Sequence, residues 1–205
     1  MNKIDTVIFD LGGVLIDWNP EYVFLGEFNG DREKMLWFFD NICTSDWNEN
    51  QDAGYSIAKA TEERVALFPE HEKHIRMFYG RWVEMLGEAI EGTVKILDAF
   101  VKSDDYKVVA LTNWSAETFP IALERFEFLQ WFEGIIVSGE EKTRKPFDTI
   151  YNITLERFNI TPEHSIFIDD NLRNIEAANN LGINGIQFRS PDQLLQQLKI
   201  YNIHL

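Results

Sequence analysis

Residues 6–14 read Thr6-Val7-Ile8-Phe9-Asp10-Leu11-Gly12-Gly13-Val14. Four apolar, β-prone residues without polar alternation describe a strand buried on both faces, as in a parallel sheet. An acid then stands at the strand's carboxyl end. Two glycines follow, which let the backbone turn sharply and bring N–H groups close to an anion. Three further runs share the pattern: Val108-Val109-Ala110-Leu111, Ile135-Ile136-Val137 and Ile166-Phe167-Ile168. A fifth, Gly185-Ile186-Gln187-Phe188, completes the set.

Most intervals between the later runs read as helices. Gly92–Lys102 is amphipathic, Ala116–Phe126 follows a cap at Ser115, and Phe147–Phe158 repeats apolar residues at helical spacing. Asn171–Leu181 stops at Gly182, and Ser190-Pro191 opens a last helix with cap and first-turn proline in the favoured order. Strands alternating with helices predict a doubly wound α/β parallel sheet. The interval from Phe9 to Val108 is far too long for one crossover. It reads as several helices and no strand, with Trp37, Phe38 and Phe39 as their core. The expected organisation is therefore an α/β core of residues 1–18 and 91–205, carrying a helical domain of residues 19–90.

Composition narrows the function. The chain has 205 residues, 45% of them hydrophobic, and a formal net charge of −15. That charge disfavours nucleic acid and anionic membrane surfaces, both of which call for clustered Lys and Arg. The one cysteine, Cys43, allows no internal disulfide and reads as a buried thiol. The first residues lack a signal-peptide pattern and no run reaches membrane-spanning length, so a cytoplasmic protein is expected. His71, His74, His164 and His204 show no ligand spacing.

In open parallel sheets, ligands bind beyond the carboxyl ends of the strands. There this sequence places Asp10-Leu11-Gly12-Gly13, Thr112-Asn113, Arg144-Lys145-Pro146 and Asp169-Asp170-Asn171. Three carboxylates without a cation would repel one another. An all-oxygen set suits Mg²⁺, which takes one or two carboxylates plus a phosphate oxygen. Thr112 and Asn113 can donate to phosphoryl oxygens. Lys145 supplies positive charge, and a carboxylate nucleophile is an established covalent route.

The elements FDLGGVLID, LTN, RKP and IDDN, in this order, resemble the four motifs of the haloacid dehalogenase superfamily. They look most like its phosphatase branch with a helical cap between the first and second motifs. The resemblance implies a Rossmann-like core and a Mg²⁺-dependent phosphatase acting on a small phosphorylated metabolite, such as a sugar phosphate. It implies Asp10 as nucleophile and metal ligand, with the Gly12 carbonyl and Asp170 completing the protein ligands. Asp169 stands behind the metal or binds it through water, and Asn174 lies near its outer sphere. Thr112 and Lys145 hold the phosphoryl group with help from Asn113. The catalytic set is thus Asp10, Thr112, Asn113, Lys145 and Asp169. Gly12, Gly13, Trp47 and Arg144 are the expected substrate contacts. Trp47 belongs to the polar stretch Asp46–Asp52, read as a loop of the insertion that faces either substrate or solvent.

One position departs from the pattern. Most phosphatases of the superfamily carry a second Asp two residues after the nucleophile, which protonates the leaving group and then activates water. Here that residue is Gly12. Rates are then expected to depend steeply on the leaving group, with Asp17 as a conceivable substitute acid. The gap opens two rival readings. One is a dehalogenase-type reaction in which Asp10 attacks carbon, disfavoured by Asp169-Asp170. The other is a catalytically weak Mg²⁺ and phosphate-binding module acting through a protein partner, disfavoured by intact Asp10, Lys145 and Asp170. Neither oligomeric state nor the identity of the substrate is legible.

Overall fold

The computed structural model describes residues 3–205. Strands β1 (Thr6–Phe9), β4 (Lys107–Thr112), β5 (Ile135–Val137), β6 (Ser165–Asp169) and β7 (Asn184–Gln187) form one sheet in the order β5-β4-β1-β6-β7. Every pairing in it is parallel. The five apolar runs fall on these five strands, and the reason the first four lack alternation is visible in the packing. Val7 and Phe9 of β1, Ala110 of β4 and Ile168 of β6 enter the core on one face. Ile8, Val109 and Phe167 enter a second core on the other. A sheet covered on both sides keeps the middle of its strands apolar and leaves polar residues to their ends.

Crossovers between the strands are helical. The helix Glu91–Val101 precedes β4, Asp148–Arg157 precedes β6, Leu172–Asn180 links β6 to β7, and Pro191–Ile200 follows β7. Side-chain caps operate in two of them, and the one at Ser190 was expected. Asn171 Oδ1 accepts from Arg173 N at 3.0 Å, and Ser190 Oγ accepts from Gln193 N at 3.2 Å. The helix expected from Ala116 starts only at Phe119. Ser115 Oγ instead accepts from Glu117 N at 3.2 Å, and that local turn delays the helix.

Two short strands in the long interval differ from expectation. β2 (Ile16–Trp18) and β3 (Leu86–Ala89) pair antiparallel, with Ile16 opposite Ala89 and Trp18 opposite Leu86. Between them lie the helices Glu21–Glu27, Arg32–Asn41, Ser45–Asp52, Ile57–Leu67, Glu72–Gly80 and Trp82–Met85. Their apolar faces form a core of their own around Phe24, Met35, Phe38, Ile75 and Phe78. Phe24 stacks on Phe38 with centroids 5.5 Å apart. Of the expected aromatic trio, Phe38 is buried, Phe39 packs at the edge and Trp37 is exposed. Cys43 is buried here too, and burial pushes its thiol up to about 12. Among the described residues, no helix is long and apolar enough to cross a membrane.

Candidate active site

β1 sits at the centre of the sheet, and its register sets the site. Phe9 pairs with Ala110 on one side and Ile168 on the other. The next residue, Asp10, therefore emerges between the carboxyl ends of β4 and β6. Its N–H donates to Ile168 O at 2.8 Å, continuing the ladder. Its carboxylate is fixed by two donors that converge on Oδ1: Leu11 N at 2.8 Å and Lys145 Nζ at 2.9 Å.

Lys145 is fully buried. Besides Asp10 it reaches Asp169 Oδ2 at 2.6 Å and Leu111 O at 3.1 Å. Three acceptors match its three N–H groups, so in this geometry the ammonium is spent on the protein. Burial alone would pull it down, but Asp10, Asp169 and their hydrogen bonds hold it above the usual lysine range. Asn113 positions this lysine through its backbone. Asn113 Nδ2 donates to Lys145 O at 3.0 Å, and Lys145 N donates to Asn113 Oδ1 at 2.8 Å. The carboxamide expected to meet a phosphoryl oxygen is thus a clamp between two loops. Thr112 is buried at the end of β4 beside it.

Asp169 is buried and saturated. It accepts from Lys145, from Asn171 N at 2.8 Å, and from Asn174 Nδ2 at 3.1 and 3.0 Å. Asp170, one residue on, faces the cavity instead. Oxygens of Asp10, Asp169 and Asp170 lie within 4.8 Å of one another. Burial raises the Asp10 carboxyl, and Asp169 and Asp170 add to the rise while Lys145 opposes it. Burial and Asp169 likewise raise Asp170. Gly13 makes this approach possible: its φ is +74°, and a Cβ there would lie 2.5 Å from Asp170 Oδ2. Gly12, by contrast, has no positive φ and nothing within 4 Å of a would-be Cβ.

The donor set fits a hard divalent cation. It is all oxygen, it gathers acids whose charges oppose one another, and Asn174 Oδ1 is buried close by without a hydrogen-bond partner. A metal-bound water would satisfy that orphaned acceptor.

Beyond Asp10, Gly12, Gly13 and Asp170 opens a cavity of about 240 Å³. Its other walls are Asn113, Trp18, Trp82 and Trp114, together with Asn48 and Asp52 from the helix Ser45–Asp52. That helix replaces the expected loop. Thr44 Oγ1 caps it by accepting from Trp47 N at 3.2 Å. Trp47 does not reach the cavity: it is buried against Phe78, centroids 5.3 Å apart. Its neighbours Asn48 and Asp52, one turn apart on the same helix, face the site in its place. Arg144 also turns elsewhere. Its Nη1 lies 2.5 Å from Glu49 Oε2, while Arg173 Nη2 holds Glu49 Oε1 at 2.8 Å. These two pairs tie the helix to the core. Asp17 accepts from the Tyr22 hydroxyl and is not a wall of the cavity.

Comparison with known proteins agrees with this architecture. Residues 48–188 match the model of the haloacid dehalogenase-like hydrolase family. A phosphorylated carbohydrates phosphatase of Thermotoga maritima is 26% identical over 89% of this chain and 84% of its own length. Pyrophosphatase PpaX of Bacillus mycoides is 26% identical over 88% of this chain and 81% of its own. A haloacid dehalogenase-family enzyme of Bacteroides thetaiotaomicron, solved with magnesium and inorganic phosphate, superposes with a TM-score of 0.67 at 23% identity. That superposition covers 91% of this chain and 95% of the other. The family match spans more than half of the chain, and this chain is an enzyme of the haloacid dehalogenase-like hydrolase family.

Proposed function

We propose that this hydrolase is a Mg²⁺-dependent phosphatase of small phosphorylated metabolites, with residues 19–90 as a cap over the site. The observation that carries the reading is the position of Asp10, held by Lys145 at 2.9 Å with Asp169 and Asp170 beside it. Asp10, Asp170 and the Gly12 carbonyl would hold the ion, with Asp169 and Asn174 behind them. Bound there, Mg²⁺ would neutralise the acids and draw charge off the phosphoryl oxygens.

The chain's own residues account for the rest. Lys145 and Leu11 N–H fix the plane of the Asp10 carboxylate, so that it attacks phosphorus without searching for its orientation. The ester oxygen leaves as the Asp10 acyl phosphate forms, and water then cleaves that anhydride to phosphate and free Asp10. Asn113 keeps the lysine loop in register. Trp18, Trp82 and Trp114 offer broad apolar faces, while Asn48, Asp52 and Asn113 offer hydrogen bonds. Aromatic faces interleaved with polar groups suit a sugar or another compact polyol better than a long apolar chain. The phosphorylated-carbohydrate relative supports that class. Attack on carbon, as in a dehalogenase, would leave the acid pair Asp169-Asp170 without a purpose.

A panel of phosphorylated metabolites, assayed with and without Mg²⁺, tests the proposal. Expected are turnover of at least one sugar phosphate, loss with chelator, and a fall of about 10³-fold or more in Asp10→Asn. Full turnover in Asp10→Asn overturns the reading.

A further inference from the structure

The site as described lacks a proton donor for the leaving oxygen on its core side, because Gly12 carries no side chain. Mg²⁺ and Lys145 would stabilise phosphoryl oxygens and Asp10, not the departing group. The helical side of the same cavity supplies a carboxyl. Asp52 stands at the end of the helix Ser45–Asp52 and lines the same cavity as Asp10 and Gly12. Asn48 Nδ2 donates to Asp52 Oδ2 at 3.1 Å and fixes the carboxyl group. The Asp52 carbonyl accepts from Ser138 Oγ at 2.5 Å, and Ser138 Oγ in turn accepts from Trp114 N at 2.8 Å. Close packing reinforces this anchor: a Cβ at Gly54 would lie 2.6 Å from the Gly139 carbonyl oxygen. The end of the helix is thereby pinned to the loops of the core.

Resting on the phosphatase reading above, we propose that Asp52 is the general acid and base of this enzyme, doing from the helical domain what Gly12 cannot do from the core. In the first half-reaction Asp10 forms a bond to phosphorus and the phosphorus–ester oxygen bond breaks. The electron pair stays on the departing oxygen, which takes the proton of the Asp52 carboxyl. In the second, water attacks the Asp10-bound phosphorus and gives its proton to the Asp52 carboxylate. The bond to Asp10 breaks, phosphate leaves, and both acids return to their starting forms.

The surroundings of Asp52 suit a group that must both give and take a proton. Burial, then the Glu49 carboxylate on its own helix, push it up to about 7. The Ser115 N–H, Arg144 and Lys145 pull the other way, and Tyr79 faces it from the helix Glu72–Gly80. Near neutral pH both forms are therefore populated, which is where general acid–base catalysis is most efficient.

The test uses the full chain with Mg²⁺ and a series of aryl phosphates of graded leaving-group acidity, followed by single-turnover and burst kinetics. Wild type should show a shallow dependence on the leaving group. Asp52→Asn should show a steep one, losing about 10²-fold or more on the poorest leaving groups. The most activated ester should suffer least in phosphoryl transfer and give a burst near one phenolate per enzyme, because the step that needs the base is now slow. Space at Gly12 allows a rescue: Gly12→Asp in the Asp52→Asn background should recover poor leaving groups at least tenfold. Such recovery also shows that the variant is folded. Equal slopes in wild type and Asp52→Asn, with turnover still dependent on Asp10, overturn the assignment and leave the phosphatase reading standing. Absence of turnover in wild type with every ester overturns both.

Discussion

The Lys145 ammonium lies 2.6 Å from the Asp169 carboxylate, and neither side chain is exposed to solvent. A buried pair of this kind costs desolvation on both sides, so it contributes modestly while intact. Its rupture is expensive, because one charge stays buried without a partner. Lys145→Met should therefore destabilise the fold by about 3–5 kcal/mol, as well as abolish activity. Urea unfolding with and without Mg²⁺ measures both parts. Added Mg²⁺ should recover a share of the loss, since a divalent cation compensates the same acids. A stability change under about 1 kcal/mol would show that the lysine is not paired as described.

Mg²⁺ itself should stabilise the wild type. A ligand present at 100 times its dissociation constant adds about 2.7 kcal/mol when it binds only the folded state. The gain should shrink as the pH falls and Asp10 and Asp170, raised by burial and by the acids beside them, take up protons. Thermal melts at several pH values and Mg²⁺ concentrations would show this, and a gain independent of pH would argue against carboxylate ligation.

Gly13→Ala should strike the metal site without touching a ligand. The residue sits at φ +74°, and the new methyl carbon would lie 2.5 Å from Asp170 Oδ2. Asp170 has to move, so Mg²⁺ affinity by calorimetry should fall at least about tenfold, or ~1.4 kcal/mol. Gly12→Ala, with open space around its Cβ, should leave that affinity within about twofold, well under ~1 kcal/mol.

Asp52 makes a prediction about stability with a definite sign. Its carboxyl is raised from 3.8 to about 7, so between those values the folded chain holds a proton that the unfolded chain has released. Stability from this group therefore falls as pH rises through that window, and the folded state carries the full penalty above it. Asp52→Asn removes the penalty. The variant should gain on wild type progressively from pH 4 to pH 7 and keep a constant lead above it. Urea midpoints across that range decide the matter, and a lead that shrinks with rising pH would reverse the sign.

Glu49 is the tether between the helix Ser45–Asp52 and the core, through Arg144 at 2.5 Å and Arg173 at 2.8 Å. Glu49→Gln should loosen that helix. Hydrogen exchange over residues 45–52 should speed up about tenfold, the equivalent of ~1.4 kcal/mol, with Mg²⁺ affinity unchanged. Unaltered exchange would mean that the packing of Trp47, rather than the ion pairs, holds the helix.

Much of the core was legible because buried parallel strands leave an unmistakable mark: Ile8, Val109 and Phe167 lie on one row across the sheet, with apolar neighbours before and after them. The acids at the strand ends followed from that register. β2 and β3 were not legible, since three or four residues with mixed polarity carry no period. The helix Ser45–Asp52 was missed for a different reason. Seven of its eight residues are polar and the eighth is Trp47, so hydropathy shows no apolar stripe and reads a loop. Trp47 turns inward to Phe78, which leaves the positions one turn apart, Asn48 and Asp52, for the cavity. The cap at Thr44 three residues before Trp47 was the available sign of a helix. Asn113 lines the cavity while Arg144 turns to Glu49; their partners, the Lys145 backbone and Glu49, lie far off in sequence and only the fold introduces them.

The pinning of Asp52 to Ser138 and Trp114 has a consequence for fidelity. With nucleophile and proton donor on separate lobes, neither lobe alone is a competent catalyst. A bare phosphate ester that reaches Asp10 without engaging Asp52 meets an attacking group with no exit for the alcohol. Only a molecule that fills the space between the tryptophans brings the two halves of the chemistry together. Proofreading of the substrate is then an act of assembly, performed before any bond is broken.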